Sequence, residues 1–217
     1  MGKAKRSFVI LGLGSFGSVV ARNLAQFDNP VMGIDISEKR VSDMANELSS
    51  VAILDARDEA ALREAGVAGY DVALVSMGDD LESSILSVMN LKLVGVDCVW
   101  VKADNRTHHR ILSKMGVDRV LLPDIEMGRH TAQMLNNPAI QDYVALGNGY
   151  NVVNLQVPET LSRQSVADLK INPAVRVLGL MRGTDFVATS PETRLETGDR
   201  LLLLGRKPDL TVFSGSL

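Results

Sequence analysis

The chain has 217 residues, with 23 Lys and Arg against 26 Asp and Glu and a formal net charge of −3, so it offers no basic footprint and no nucleic-acid partner is expected. Its 46% hydrophobic content is that of a water-soluble globular protein, and no apolar run approaches the roughly 18 residues needed to cross a bilayer. The basic start, Lys3, Lys5 and Arg6, lacks the apolar core of a secretory signal, and a lone cysteine, Cys98, excludes an internal disulfide framework, so a reducing cytoplasmic setting is expected.

The first element is an uncharged run, Phe8 to Leu11, that breaks into Gly12-Leu13-Gly14-Ser15-Phe16-Gly17 and continues as a helix-compatible segment, Ser18 to Phe27. Strand, glycine turn and helix in that order match the dinucleotide-binding fingerprint. Gly12 permits the tight turn, Gly14 leaves no Cβ in the way of a pyrophosphate, and Gly17 lets the helix sit close on the strand. The phosphates would face the helix N-terminus. A second strand, Val31 to Ile34, ends at Asp35, about 20 residues past the glycines, where a ribose-binding acid is expected. That carboxylate favours an adenosine-type nucleotide or NAD over NADP, and Lys39 and Arg40 read as a solvated helix face.

The alternation then continues. Helices are expected over Ser37–Leu48, Asp58–Ala65, Leu81–Leu93 and Asn105–Met115, and strands over Val51–Leu54, Val72–Ser76, Cys98–Val101 and Arg119–Leu122. The strands are continuous apolar runs, the mark of a parallel sheet covered on both faces, so the first part of the chain is expected to be α/β and Rossmann-like. Ligands bind beyond the carboxyl ends of such strands. The candidate site is therefore Gly12, Gly14, Ser15, Phe16 and Gly17 after the first strand, Asp35 and Ile36 after the second, and Asp55 and Ala56 after the third. Met77 and Gly78 follow the fourth, and Lys102 the fifth. Lys102 reads either as a phosphate contact or as a strand-end lysine reaching solvent. Asp55 reads either as a cap of its own turn or as a contact to adenine or ribose.

A further helix is expected over Ile125–Leu135, with Met127, Met134 and Leu135 near one face, and Asn136-Asn137-Pro138 ends it. The pattern then changes to short strands over 140–144, 150–157, 176–181, 186–188 and 201–204. Turn sequences such as Gly147-Asn148-Gly149 and Thr197-Gly198-Asp199 divide them, and short helices are expected over 165–169 and 208–213. Two domains are expected, 1–138 with nucleotide-binding character and 139–217 as a small α+β domain.

Catalytic groups are scarce. The second domain has no His and no Cys to place beside a nicotinamide, no Walker lysine follows the glycine turn, and Ser15 is not in a nucleophile elbow. The alternative function is a small NAD(P)-dependent oxidoreductase or redox sensor in which His108 or His109 assists.

Taken in order, Gly12 to Gly17, Val31 to Asp35, Asp55-Ala56, Trp100-Val101-Lys102-Ala103, His108-His109, Gly116-Val117-Asp118-Arg119 and Pro123-Asp124-Ile125-Glu126-Met127-Gly128 carry a resemblance. The sequence resembles the KtrA/TrkA-type cytosolic regulatory subunits of potassium uptake systems, the RCK or KTN family, over nearly its whole length. The resemblance implies a non-enzymatic subunit that binds ATP or ADP, with NAD(H) as the alternative ligand. It implies a homodimer assembling to a homo-octameric ring on a membrane-embedded Ktr/Trk-type potassium-translocating subunit at the inner face of the membrane. It further implies that Asp35 takes the ribose, Asp55 and Ala56 border the adenine, and Lys102 approaches phosphate. On the same resemblance Ile125–Leu135 is a crossover helix, and Asp124 stands where relatives place a glutamate able to hold a divalent cation, Mg²⁺ or Ca²⁺. As a residue before a helix, Asp124 is equally suited to be its N-cap. Relatives often carry at position 15 an arginine that reaches the γ-phosphate, which Ser15 does not supply; Arg57 or Arg106 are the cations that stand in for it.

Overall fold

The computed structural model describes residues 5–78, 80–136 and 140–215. The chain forms two compact units, Met1–Ile125 and Glu126–Leu217. In the first, β1 (Phe8–Leu11), β2 (Val31–Asp35), β3 (Ser50–Ile53), β4 (Val72–Val75), β5 (Cys98–Lys102) and β6 (Arg119–Leu121) make one sheet in the order β3-β2-β1-β4-β5-β6. Every pair is parallel, with Phe8 level with Val31 on one side and Val72 on the other. The order reverses between β1 and β4, which puts the switch point at the carboxyl ends of those strands.

The uninterrupted apolar strands are explained by the two faces they cover. Val9 and Leu11 of β1, Met32 and Ile34 of β2 and Ala73 and Val75 of β4 share a core with Leu62 of α3 (Glu59–Glu64), Val88 and Leu91 of α4 (Leu81–Val94) and Leu112 of α5 (Arg106–Lys114). Ile10, Val31 and Leu74, one residue out of phase, point the other way. They join Ala21 of α1 (Ser15–Gln26) and Val41 and Met44 of α2 (Glu38–Met44). Alternate residues thus meet opposite helical layers, and the polar side chains Asp35 and Lys102 come only at the carboxyl ends of β2 and β5.

In the second unit β7 (Ile140–Gly147), β8 (Tyr150–Gln156), β9 (Arg176–Arg182), β10 (Asp185–Val187) and β11 (Arg200–Arg206) form an antiparallel sheet in the order β10-β9-β11-β8-β7. Val153, Leu155, Leu180, Leu195, Leu201 and Leu203 make its core, which Leu210 and Phe213 of α7 (Lys207–Ser214) complete. The turn at 197–199 is held from inside: Asp199 is 1% exposed, accepts from Nε and Nη2 of Arg182 at 3.0 and 2.8 Å, and accepts the Glu196 N–H at 2.9 Å.

Several elements begin or end elsewhere than their sequence suggests. The helix expected to reach Leu48 stops at Met44, with a turn after it, and the one expected over 165–169 is a single 3₁₀ turn closed by a reciprocal Ser165–Asp168 capping box. Helix α6 (Pro123–Asn136) starts at Pro123, which suits the first helical position, so Asp124 lies inside the first turn and is not the N-cap. The boundary expected after residue 138 lies outside the described residues, and α6 runs from the first unit into the second. Among the described residues no helix is long and apolar enough to cross a membrane.

Candidate functional site

The glycine turn is held by contacts that leave no room for a side chain at two of its three glycines. Gly12 sits at φ +93°, donates its N–H to the Ile34 carbonyl at 2.8 Å, and a Cβ there would lie 2.3 Å from the Ser76 carbonyl oxygen. A Cβ on Gly17 would lie 1.9 Å from the Gly12 carbonyl oxygen. Gly14 differs, for nothing lies within 4 Å of the position its Cβ would take. It is the N-cap of α1, so Ser15, expected inside the turn, is the first residue of the helix. No side chain caps α1 and no acid stands in its first turn, whereas α3, α4 and α5 are closed by Asp58, Asp80 and Asn105. The first N–H groups of α1 are therefore left with the dipole's positive end and no side-chain acceptor.

Asp35 is tied to that turn. Its Oδ2 accepts the Leu13 N–H at 2.7 Å, its Oδ1 accepts the Ser37 N–H at 2.8 Å, and Arg40 Nη1 lies 3.4 Å from Oδ2. The side chain is 4% exposed. Arg40 thus faces the site and does not belong to a purely solvated helix face. Asp55 accepts from Nε and Nη2 of Arg57, at 3.0 and 2.7 Å, and from the Arg57 N–H at 2.9 Å. The Arg57 guanidinium holds the Asp55 carboxyl below the usual carboxylate range, and Asp55 in turn raises Arg57. Asp55 therefore shapes its own turn while also facing the cleft. Lys102 does not reach freely into solvent: its side chain is 13% exposed and Nζ lies 2.9 Å from Oδ2 of Asp124.

These groups enclose a cleft of about 510 Å³. Gly12, Gly14, Ser15, Phe16, Asp35, Ile36, Asp55, Ala56, Met77, Gly78 and Lys102 all line it, and Gly17 is buried behind it. The site expectation omitted Asp80 and Ser83 at the start of α4, which line the cleft with Arg40 and Arg57. An Asp before an apolar helical run reads as a cap, and Asp80 is one; its place in the cleft follows only from where the sheet puts that cap. His108 and His109 do not line the cleft. Among the described residues no group of three or more His, Cys, Asp or Glu is placed to hold a metal ion, and the Asp124 carboxylate is engaged by Lys102. These side chains do not by themselves make a cation site.

The TrkA-N domain model matches residues 8–123 and the TrkA-C domain model residues 152–214. The Ktr system potassium uptake protein A of Vibrio alginolyticus is 31% identical over 94% of this chain and 94% of its own length. The chain belongs to the KtrA/TrkA-type family of RCK (KTN) proteins. The Bacillus subtilis Ktr system potassium uptake proteins A and C are 30% and 29% identical, over 98% and 96% of both chains. The fold agrees: the GsuK RCK domain superposes with a TM-score of 0.66 at 12% identity, and the GsuK channel bound to NAD with 0.58 at 20%, each over 99% of this chain. The chain spans 48% and 39% of the length of those two. In the family's frame the 510 Å³ cleft belongs to the TrkA-N domain, and the residues from 124 to 151, which include most of α6, lie between the two matched domains.

Proposed function

We propose that this chain is a nucleotide-sensing, non-enzymatic regulatory subunit of a potassium uptake system, with ATP and ADP as its ligands. The observation that carries the reading is the uncapped N-terminus of α1. It opens with Gly14 onto a cleft that is also lined by Asp35, held beside the turn through the Leu13 N–H, an arrangement suited to phosphate at the helix end and ribose at the carboxylate. Asp55 and Ala56 border the adenine, Met77 and Gly78 the middle of the cleft, and Lys102 with Arg57 supply positive charge where Ser15 has none. A divalent cation would arrive with the nucleotide's phosphates, Asp124 adding one oxygen. The chain works as a homodimer within a homo-octameric ring, docked on a membrane-embedded potassium-translocating subunit from the cytoplasmic side. ATP and ADP act by favouring different ring conformations, which requires unequal affinity for them. The names of the three Ktr relatives described above, each a potassium uptake protein, support the partner.

A melting panel of the full chain with ATP, ADP, NAD, NADH and NADPH, with and without Mg²⁺ or Ca²⁺, tests the ligand. A ligand at a hundredfold its Kd adds about 2.7 kcal/mol of stability. ATP and ADP should raise the melting temperature more than NADPH, and Gly14→Val, whose Cβ meets nothing within 4 Å, should remove the shifts. Stereospecific hydride transfer from NADH to a carbonyl or quinone would instead establish an oxidoreductase.

A further inference from the structure

Lys102 ends β5 and lines the cleft together with Gly14 and Ser15, yet its ammonium is already engaged by Asp124. Asp124 does not line the cleft. It stands one residue past Pro123, in the first turn of α6. The two ends are fixed side by side, because Lys102 is level with Leu121 across β5 and β6 and the Ala103 N–H donates to the Leu121 carbonyl at 2.8 Å. The two partners differ in surroundings. The Lys102 side chain is 13% exposed and Asp124 is 67% exposed. The aspartate can pass to water at little cost, while the sheltered lysine needs another anion if it loses this one.

Resting on the nucleotide reading above, we propose that Lys102 is a two-position contact that links the phosphate end of the cleft to the start of α6. With the cleft empty it holds Asp124. With a nucleotide bound it turns to a phosphate oxygen, and the first turn of α6 loses its tie to the sheet. The exchange runs in that direction because a lysine–phosphate contact within the cleft is charge-assisted and sheltered, whereas the pair with a mostly exposed carboxylate is weak. Linkage makes the effect mutual: the ion pair that the nucleotide must break lowers the nucleotide's affinity by the same factor. Adenosine, without phosphates, does not compete for Lys102.

Calorimetric titration with ADP and with adenosine, in EDTA so that no divalent cation joins Asp124, tests this on four full-length proteins: wild type, Lys102→Met, Asp124→Asn and the double variant. Asp124→Asn should tighten ADP roughly threefold, the scale of a half-exposed ion pair. It should leave adenosine unchanged and have no effect on ADP once Lys102 is Met. Lys102→Met alone should weaken ADP. Equal tightening by Asp124→Asn in both backgrounds would mean direct repulsion of phosphate by Asp124 and would overturn the proposal, as would ADP affinity indifferent to Lys102→Met. Should Lys102→Met fail to fold, amide exchange in the wild type decides. Saturating ADP should speed exchange at residues 125–128 toward the level that Asp124→Asn shows without ligand, and unchanged exchange contradicts the proposal. Failure of the wild type to bind ADP at all would remove the nucleotide reading itself, and the inference with it.

Discussion

Gly12, Gly14 and Gly17 share one motif but answer to different constraints, and substitution separates them. Gly12→Ala places a methyl group against the Ser76 carbonyl at a left-handed φ, so it should destabilise the first unit by about 2 kcal/mol or more in urea unfolding. Gly14→Ala meets nothing within 4 Å, so it should cost only the N-cap preference, about 1 kcal/mol, while weakening nucleotide binding. A fold lost on Gly14→Ala would show that this glycine is structural. The spacing of the motif was legible in the sequence because each glycine has a backbone job at a fixed offset. The ties of Asp35 to Leu13 and of Lys102 to Asp124 were not, for each joins residues 22 apart that only the parallel registers bring together. In the second unit, Asp199 makes a pH prediction. Arg182 holds its carboxyl below the usual range. A depressed folded-state value means stabilisation that is complete above the unfolded carboxyl's pKa, near 4, and drains as pH falls through the lower folded value. Asp199→Asn should cost about 2 kcal/mol at pH 7 and flatten the loss of stability below pH 4, as thermal melts across that range would show.

The elements of the first unit were readable nearly end to end, because apolar runs of four or five residues bounded by Gly, Asp or Pro leave little choice once helices intervene. The exceptions have local causes. Position 123 is a proline that fits the first helical turn, which moved the start of α6 ahead of Asp124, and Gly14 with extended backbone moved the start of α1 back to Ser15. Helix α4 carries more apolar surface than its own layer covers. Val88, Leu91 and Val94 are buried while Met89 and Leu93 are 48% and 61% exposed. Burying a methionine or leucine side chain stabilises an association by about 1.5 to 3 kcal/mol, so an interface on this face fits the proposed assembly. The double substitution Met89→Glu and Leu93→Glu should lower the molar mass measured by light scattering with no loss of far-ultraviolet helicity. An unchanged mass would exclude this face from the assembly.

At the scale of the whole molecule, two domains with different sheet topology are joined in sequence by α6, and the cleft lies entirely within the first. A regulatory reading requires the second domain and the membrane partner to register what the first has bound, which the composition of a cleft cannot reveal and which the sequence suggested only through family resemblance. The direct test of the central claim is equilibrium titration of the full chain with ATP and ADP by calorimetry, each alone and in competition. The account predicts saturable binding of one nucleotide per chain, displacement of each by the other, and loss of both in a Gly14→Val chain that still unfolds cooperatively, at a melting temperature lowered only by the weaker N-cap. A folded wild-type chain that takes up neither ATP nor ADP at millimolar concentration would contradict it.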